Sequence, residues 1–132
     1  MSVVADAFAQ RSVDRRQSMN ADEKKKLESW LQGLDMFLAL RHTLPGHYMR
    51  AFLLVALDEG KGVTEYATLS GVAQSVMSRH LSDLGDKDRN GRPGYGLLTM
   101  RMDPLNLRRH QVMLTNKGRA IAAAIIRPMG RA

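Results

Sequence analysis

The chain has 132 residues, of which 44% are hydrophobic, and this is enough for one domain with a single core but not for two. It contains no cysteine, which excludes disulfide bonds, thiol redox sensing and Cys-ligated zinc. The net charge of +7 arises in the C-terminal part: residues 1–85 hold ten basic and ten acidic side chains, whereas residues 86–132 hold ten basic and three acidic ones. Such an excess is typical of a polyanion-binding protein, although a solubilising surface charge is an alternative explanation.

The composition favours helices over sheets. Nine methionines accompany many Leu and Ala residues, whereas β-rich chains depend on Val, Ile, Thr and aromatic side chains. The longest apolar run is too short to span a membrane, and the N-terminus, which contains Asp6, has no cleavable apolar segment. We therefore expect a cytoplasmic, mainly α-helical protein.

The N-terminal part is predicted to be an arm followed by a long helix. Residues 1–19 are expected to be flexible, with a short helix through Val4 and Phe8 as an alternative that would dock on a partner. A helix is predicted over residues 20–41, because Asn20 is a good N-cap and Glu23 completes a capping box. Its apolar residues recur at helical spacing, namely Leu27, Trp30, Leu31, Leu34, Phe37 and Leu38.

A second helix is predicted over residues 45–58, since proline is favoured in the first turn of a helix. It is apolar nearly all round and is therefore expected to be buried, with Met49, Phe52, Leu53, Val55, Ala56 and Leu57. His42 and His47 flank its start. With no third ligand nearby, they are interpreted as solvated or capping residues rather than a metal pair.

The next segment has the spacing of a helix-turn-helix. Val63 is expected to add a short strand pairing, and Thr64 to cap the third helix. Ala67 is a small residue where two helices would cross, Gly71 suits a left-handed turn, and Met77 is an apolar residue on the following helix. This spacing is moderately specific for the motif.

The helix after this turn, over residues 73–84, has two distinct faces. Met77, Leu81 and Leu84 form an apolar stripe, which predicts a buried face. The opposite face has short polar side chains, one arginine and no carboxylate before Asp83, and consists of Gln74, Ser75, Ser78, Arg79 and Ser82. Such a face suits close approach to an anion, so we expect a helix that enters a DNA groove.

The C-terminal part is predicted to contain a loop, a β-hairpin and a last helix. Residues 86–94 include two turn dipeptides, Asn90-Gly91 and Pro93-Gly94. Residues 97–102 and 110–115 alternate like strands, and residues 103–109 are expected to form the hairpin tip. After Thr115 the last helix places Ile121, Ala124 and Ile125 on one side. A basic hairpin after a helix-turn-helix is a wing, so the fold is predicted to be a mainly α winged helix-turn-helix over residues 20–132.

This order of elements resembles the MarR family of winged-helix transcriptional regulators. Residues 96–101, the Asp103-Pro104 pair with Arg108, and residues 112–119 are similar to the family's Gly-Leu-Ile…Arg, Asp-Pro…Asp-x-Arg and Leu-Thr…Lys-Gly pattern. Residues 73–79 resemble the start of its recognition helix. The resemblance covers residues 45–123.

The chain departs from the family pattern in three places. Residues 86–94 form an insertion of about nine residues where the family has a short turn. The family's Asp-x-Arg is Asn106-Leu107-Arg108 here, so the carboxylate expected to orient the arginine is replaced. About seventeen residues follow Thr115, which is short for the family's C-terminal dimerisation helix.

The resemblance implies a sequence-specific regulator of double-stranded DNA, a homodimer on an inverted-repeat operator, located at the nucleoid. Its recognition helices would enter successive major grooves, and Arg108, with Arg109 as a further candidate, would enter the minor groove. The inserted loop is expected either to contact phosphates or to be disordered. The predicted DNA-binding residues are Gln74, Ser75, Val76, Ser78, Arg79, Ser82, Lys87, Arg89, Arg92, Arg101, Arg108 and Arg109.

Family members often respond to a small aromatic ligand, and no cofactor is expected. Trp30, Phe37, Tyr48 and Phe52 could line a ligand crevice, but their spacing favours a role in the core. The first helix, within residues 20–43, is the preferred candidate for the dimer interface.

Three other functions are alternatives to that of a regulator. An architectural or replication-type winged helix of a mobile element would bind DNA without sensing a ligand, and an adaptor would bind protein, which Arg79 and the basic wing disfavour. An enzyme is disfavoured because His42, His47, His80 and His110 have no carboxylate at ligand spacing.

Overall fold

The protein is represented by a computed structural model that describes residues 18–88 and 90–129. Within this part the elements are α1 (Ala21–Leu40), α2 (Gly46–Leu57), α3 (Val63–Ser70), α4 (Gln74–Asp83), β1 (Leu98–Asp103), β2 (Asn106–Leu114), α5 (Asn116–Ile126) and a 3-10 turn (Arg127–Met129). The predicted winged helix-turn-helix is confirmed. The predicted arm, apart from Ser18 and Met19, and the helix through Val4 and Phe8 lie outside the described residues.

Helix α1 begins at the predicted capping box and leaves most of its apolar stripe in solvent. Asn20 Oδ1 accepts a hydrogen bond from Glu23 N at 2.9 Å, and Asn20 N donates to the Glu23 carboxylate at 3.2 Å. Only Gly33 and Phe37 are buried on this helix. Trp30 is 66% exposed, so its predicted place in the core is wrong. The reason is that α1 packs against α5 and the 3-10 turn along a narrow strip, with Trp30 beside it.

The core lies where α2, α3 and α4 meet the base of the hairpin. Phe52 is completely buried and packs edge-to-face against Phe37, with ring centroids 5.7 Å apart. The largest fully buried side chains come from five segments of the chain, and are Tyr66, Phe52, Met77, Leu81, Leu84, Leu97, Val55 and Val112. This single cluster holds the helix-turn-helix against the hairpin.

Helix α2 is buried on one face rather than all round. Ala51, Phe52 and Val55 are buried, but Leu53 is 37% exposed and Leu57 is 82% exposed. The expectation of a fully buried helix is therefore wrong. Its neighbours α3, α4 and β2 cover only part of its circumference, and an apolar composition does not show which faces are covered.

The segment before α3 pairs with the wing, three residues earlier than the sequence suggested. Gly60 N donates to Val112 O, and Val112 N donates to Lys61 O, both at 2.9 Å. Val63 does not pair. It is the first residue of α3, and Gly62 rather than Thr64 is the N-cap, with the Glu65 side chain accepting from Gly62 N. The base of β2 is thus fixed to the start of the helix-turn-helix.

Helix α5 approaches Leu97, the residue before β1, so closely that only glycine fits at its third residue. A Cβ atom on Gly118 would lie 2.2 Å from the carbonyl oxygen of Leu97, which is a backbone atom that cannot rotate away. At Gly46, the first residue of α2, a Cβ would meet nothing within 4 Å. Gly46 can therefore serve as the control for a substitution at Gly118, since both are helical glycines and only Gly118 has no room for a Cβ atom.

We expect Gly118→Ala to lower the free energy of unfolding by about 2 kcal/mol or more, because the added methyl group must displace backbone. Gly46→Ala should change it by less than about 1 kcal/mol and in the stabilising direction, since alanine restricts the unfolded chain. Urea unfolding followed by circular dichroism measures both. Equal effects of the two substitutions would contradict the close packing of α5.

Candidate nucleic-acid interface

The turn between α3 and α4 has the geometry that its residues predicted. Gly71 adopts a left-handed conformation with φ of 70°, which glycine reaches without a Cβ penalty. Val72 N donates to Ala67 O at 3.2 Å and closes the turn. Ala67 is 4% exposed and Met77 is 1% exposed, as expected for a helix crossing and an apolar anchor. The turn therefore fixes α4 across α3.

Helix α4 presents the predicted polar face to solvent. Its apolar side is buried through Met77 and Leu81, and Leu84 continues it. On the opposite side Gln74, Ser75, Ser78 and Arg79 are exposed, while Val76 and Ser82 are partly buried. Their contact with DNA remains a prediction.

The one carboxylate within α4, that of Asp83, accepts a hydrogen bond from another side chain. The first turn of α4 contains no acidic residue. At the other end, Tyr48 Oη donates a hydrogen bond to the Asp83 carboxylate at 2.5 Å. The interaction directs this carboxylate towards α2, so the polar face of α4 keeps Arg79 as its charged group.

The wing is an antiparallel pair with a tighter tip than expected. Strand β2 begins at Asn106, so residues 107–109 belong to the strand and the predicted seven-residue tip is too long. Asp103 Oδ1 accepts from Leu105 N at 2.9 Å, and Asn106 Oδ1 accepts from Arg108 N at 3.1 Å. The two side-chain oxygens accept hydrogen bonds from backbone N–H groups at the tip, in place of backbone carbonyl partners. The Asn106 amide oxygen thus orients the backbone of Arg108 without a carboxylate.

The strand pairing of the wing distinguishes Arg101, which lies in the paired part of the hairpin, from Arg108 and Arg109, which do not. Met102 pairs with His110 and Asp103 pairs with Asn106, so residues 107–109 have no partner on β1. Arg101 Nε donates to the Gln111 side chain at 3.0 Å across the strands.

Arg109 and Arg108 differ in their side-chain partners. Arg109 forms an ion pair with Glu65 of α3, which ties the wing to the helix-turn-helix. Arg108 is exposed and has no ion pair with any residue in the described part of the chain. Glu65 therefore already pairs with Arg109, while the entry of either arginine into a groove stays a prediction.

The inserted loop is folded rather than disordered in its described part. Asp88 N donates to Arg92 O at 2.7 Å, and the Asp88 carboxylate accepts from Asn90 N and Arg92 N at 2.8 and 2.9 Å. Lys87 and Pro93 form an isolated antiparallel β-bridge. Arg92 is exposed, and Arg89 lies outside the described residues. The loop therefore presents Lys87 and Arg92 from a hydrogen-bonded frame.

The structure brings some of the predicted residues around one depression and places others apart. Ser78, Ser82 and Lys87 line a depression of about 430 Å³ together with Asp86 and with Thr99 and Met100 of β1. Ser82 Oγ donates to Lys87 O at 3.4 Å, so the loop adjoins the end of α4. Arg108 and Arg109 lie beyond it near the wing tip. Helix α4, the inserted loop and β1 of the wing thus border a common surface.

No protein-family model matches the sequence, and no curated protein matches it significantly. Solved structures do match. RV1404 from Mycobacterium tuberculosis has a TM-score of 0.64 and 16% identity over 96% of this chain and 71% of its own. A MarR-like transcriptional regulator from Thermotoga maritima has a TM-score of 0.54 and 25% identity, covering 85% of this chain and 77% of its own. The transcriptional repressor CouR, bound to a 23-mer DNA duplex, has a TM-score of 0.53 and 26% identity, covering 83% and 70%.

The chain has the winged-helix fold of the MarR-type regulators. In this fold α4 is the second helix of the helix-turn-helix and the β1–β2 hairpin is the wing. Residues 18–88 and 90–129 contain no group of three His, Asp or Glu side chains that could hold a metal ion, and no helix there is long and apolar enough to cross a membrane.

A histidine pair between α2 and α4 was missed by sequence reasoning. His47 of α2 and His80 of α4 stack with ring centroids 5.7 Å apart and planes 13° apart. Tyr48 meets His80 edge-on at 5.1 Å. The two histidines are far apart in sequence, and only their position at the crossing of two helices brings them together.

Burial lowers the pKa of His80, and the neighbouring His47 lowers it further, outweighing the opposite effect of Asp83. An unfolded chain would therefore bind a proton at His80 at a higher pH than the folded one does. The stability contribution of neutral His80 is present above the unfolded pKa of about 6.5 and is lost as the pH falls below it.

We expect the free energy of unfolding to fall between about pH 7.5 and 5.5, and His80→Gln to flatten that dependence. His42→Gln, at an exposed histidine before α2, should leave it unchanged. Urea unfolding at several pH values measures the slope. A slope that persists in the His80 variant would show that other groups cause it.

Proposed function

We propose that this protein is a sequence-specific, DNA-binding transcriptional regulator that acts as a homodimer on an inverted-repeat operator. The observation that supports this most is the exposed face of α4, which has hydrogen-bonding side chains, one arginine and no free carboxylate. The similarity to CouR bound to a DNA duplex supports the same use of the fold. Such a regulator would act at the nucleoid.

The recognition helix would supply most of the base contacts. Gln74 suits a bidentate pair with adenine, and Arg79 suits guanine, where one such pair contributes about 1–3 kcal/mol of discrimination. Ser75, Ser78 and Ser82 would bond to bases or phosphates. Val76 is partly buried, so any contact with a thymine methyl group would involve only its exposed portion.

The wing and the inserted loop would add contacts on either side. Arg108, without an ion pair in the described residues, is the wing residue best placed to enter a narrow minor groove. Lys87, Arg89 and Arg92 would contact phosphates. Arg101 and Arg109 would contribute mainly positive potential, since both already have protein partners.

The same fold leaves an apolar groove that suits a second copy of the chain. The groove has a volume of about 500 Å³ and an almost wholly apolar lining between α1, α2 and α5, including Trp30, Leu34, Phe37, Met49, Leu53 and Ile126. Trp30 is 66% exposed and Ile126 is 61% exposed. Leu27 and Leu31 extend this apolar surface along α1, at 50% and 58% exposed.

We infer that α1, the predicted dimerisation helix, pairs with its counterpart across this surface. Its 20 residues span about 30 Å, which is long enough to contribute to the roughly 800 Å² per partner of a stable interface. Of the residues considered for an effector crevice, Trp30 and Phe37 line this groove, whereas Phe52 is in the core and Tyr48 packs behind α4.

Selection from a random duplex library at two salt concentrations tests DNA recognition. We expect an enriched palindrome with half-sites about ten base pairs apart. Arg79→Ala should weaken binding to the enriched duplex by roughly tenfold or more and relax the preference at one position of each half-site. Lys25→Ala removes the same charge from α1, away from the polar face, and should change binding far less. Salt-sensitive binding with no enriched sequence would instead support the architectural function.

Sedimentation measures the proposed dimer. Trp30→Gln should raise the dissociation constant of the dimer at least tenfold above that of the wild type, because it removes a large apolar side chain from the groove. Leu57→Gln changes a residue that is 82% exposed and does not line the groove, so it should have no effect. A wild-type monomer at micromolar concentration would contradict the dimer while leaving DNA binding open to test.

A further inference from the structure

The tip of the wing exposes an unusual apolar group. Leu105 is 97% exposed, more than any other large hydrophobic side chain in the described residues. Pro104 before it is exposed, and Leu107 after it is 66% exposed. None of the three belongs to the core cluster of the described residues, and together they form a small apolar projection at the end of a basic hairpin. We call Pro104 and Leu105 the tip pair.

The tip pair is held in one orientation. The Asp103 carboxylate accepts from Leu105 N at 2.9 Å, and the Asn106 amide oxygen accepts from Arg108 N at 3.1 Å. Pro104 lies inside the first of these two turns, and its ring fixes the backbone φ angle there. A side chain presented by a rigid backbone loses less entropy when it binds than one on a mobile loop. The geometry therefore suits insertion into a partner.

The charge around the tip pair indicates the chemistry of that partner. Arg101, Arg108 and Arg109 belong to the same hairpin, and the one acidic residue of the tip, Asp103, already accepts a hydrogen bond within the turn. A partner must then offer an anionic surface beside an apolar interior. The stacked base pairs of DNA between two phosphate backbones have this combination, whereas a second copy of the basic wing would repel it.

We propose that the wing inserts Leu105, supported by Pro104, between base pairs from the minor groove and bends the DNA there. The proposal rests on the proposed function, since it requires that the wing approach the minor groove. Apolar side chains of this type partly unstack a base step and kink the duplex towards the major groove. Flexible steps such as TA and CA resist this least, so the wing would favour them without a hydrogen bond to any base.

The test uses the duplex most enriched in the library selection, labelled with a dye at each end. In a second set of duplexes, 2-aminopurine replaces adenine at successive positions outside the recognition half-sites. We expect wild-type protein to shorten the end-to-end distance measured by energy transfer. We also expect it to raise 2-aminopurine fluorescence several-fold at one step per half-site, where stacking is lost.

Leu105→Ser should abolish the fluorescence increase, reduce the bend and weaken binding by roughly tenfold. Leu105→Met, which keeps an apolar side chain, should retain all three. Leu57→Ser changes another highly exposed leucine, 82% exposed at the end of α2, and serves as the control. Circular dichroism checks that each variant is folded.

Two outcomes would overturn the proposal, and they differ in what they imply. Equal bending and fluorescence for wild type and Leu105→Ser would refute insertion and leave the regulator function standing. If wild-type protein binds no duplex, the proposed function fails and insertion fails with it. Loss of binding by Leu105→Ser without any bend in the wild-type complex would also refute insertion, since the tip would then contact DNA without deforming it.

Discussion

The burial of Met77, Leu81 and Leu84 is the constraint on which the rest of the structure depends. These side chains attach α4 to the core with one face only, so the polar face that includes Gln74 and Arg79 must point to solvent. Core packing tolerates little rotation of such a helix, because a shift of one residue would expose apolar groups and bury polar ones. The orientation of the polar face of α4 is therefore a consequence of hydrophobic burial on its opposite face.

A second set of contacts holds the wing in a fixed relation to that helix. Val112 pairs with the Gly60–Lys61 segment, the Glu59 carboxylate accepts from Leu114 N at 2.7 Å, and Arg109 pairs with Glu65. All three contacts join the hairpin to the residues around the start of α3. Helix-turn-helix and wing should then approach a duplex as one rigid unit, with the hydrogen-bonded inserted loop beside them. This arrangement favours recognition by a preformed surface.

Local patterns predicted local structure well, and contacts between distant residues poorly. The faces of α4, the Gly71 turn and the Asn20 cap depend on neighbouring residues, and the structure confirms them. The wing tip was predicted too long because the alternation of the strands does not show the hydrogen bonds that Asp103 and Asn106 make. Periodicity placed Trp30 on an apolar face but could not show whether another element covers it. The His47–His80 stack and the Arg109–Glu65 pair depend on how elements cross, which no local pattern encodes.

Amide hydrogen exchange with and without the enriched duplex tests the central claim most directly. The account predicts that bound DNA slows exchange in α4 and around residues 103–109, while α1 keeps the protection it has in the free protein. Slower exchange confined to α1 or α5, with α4 unchanged, would contradict the account, because DNA would then lie on the surface assigned here to the second subunit.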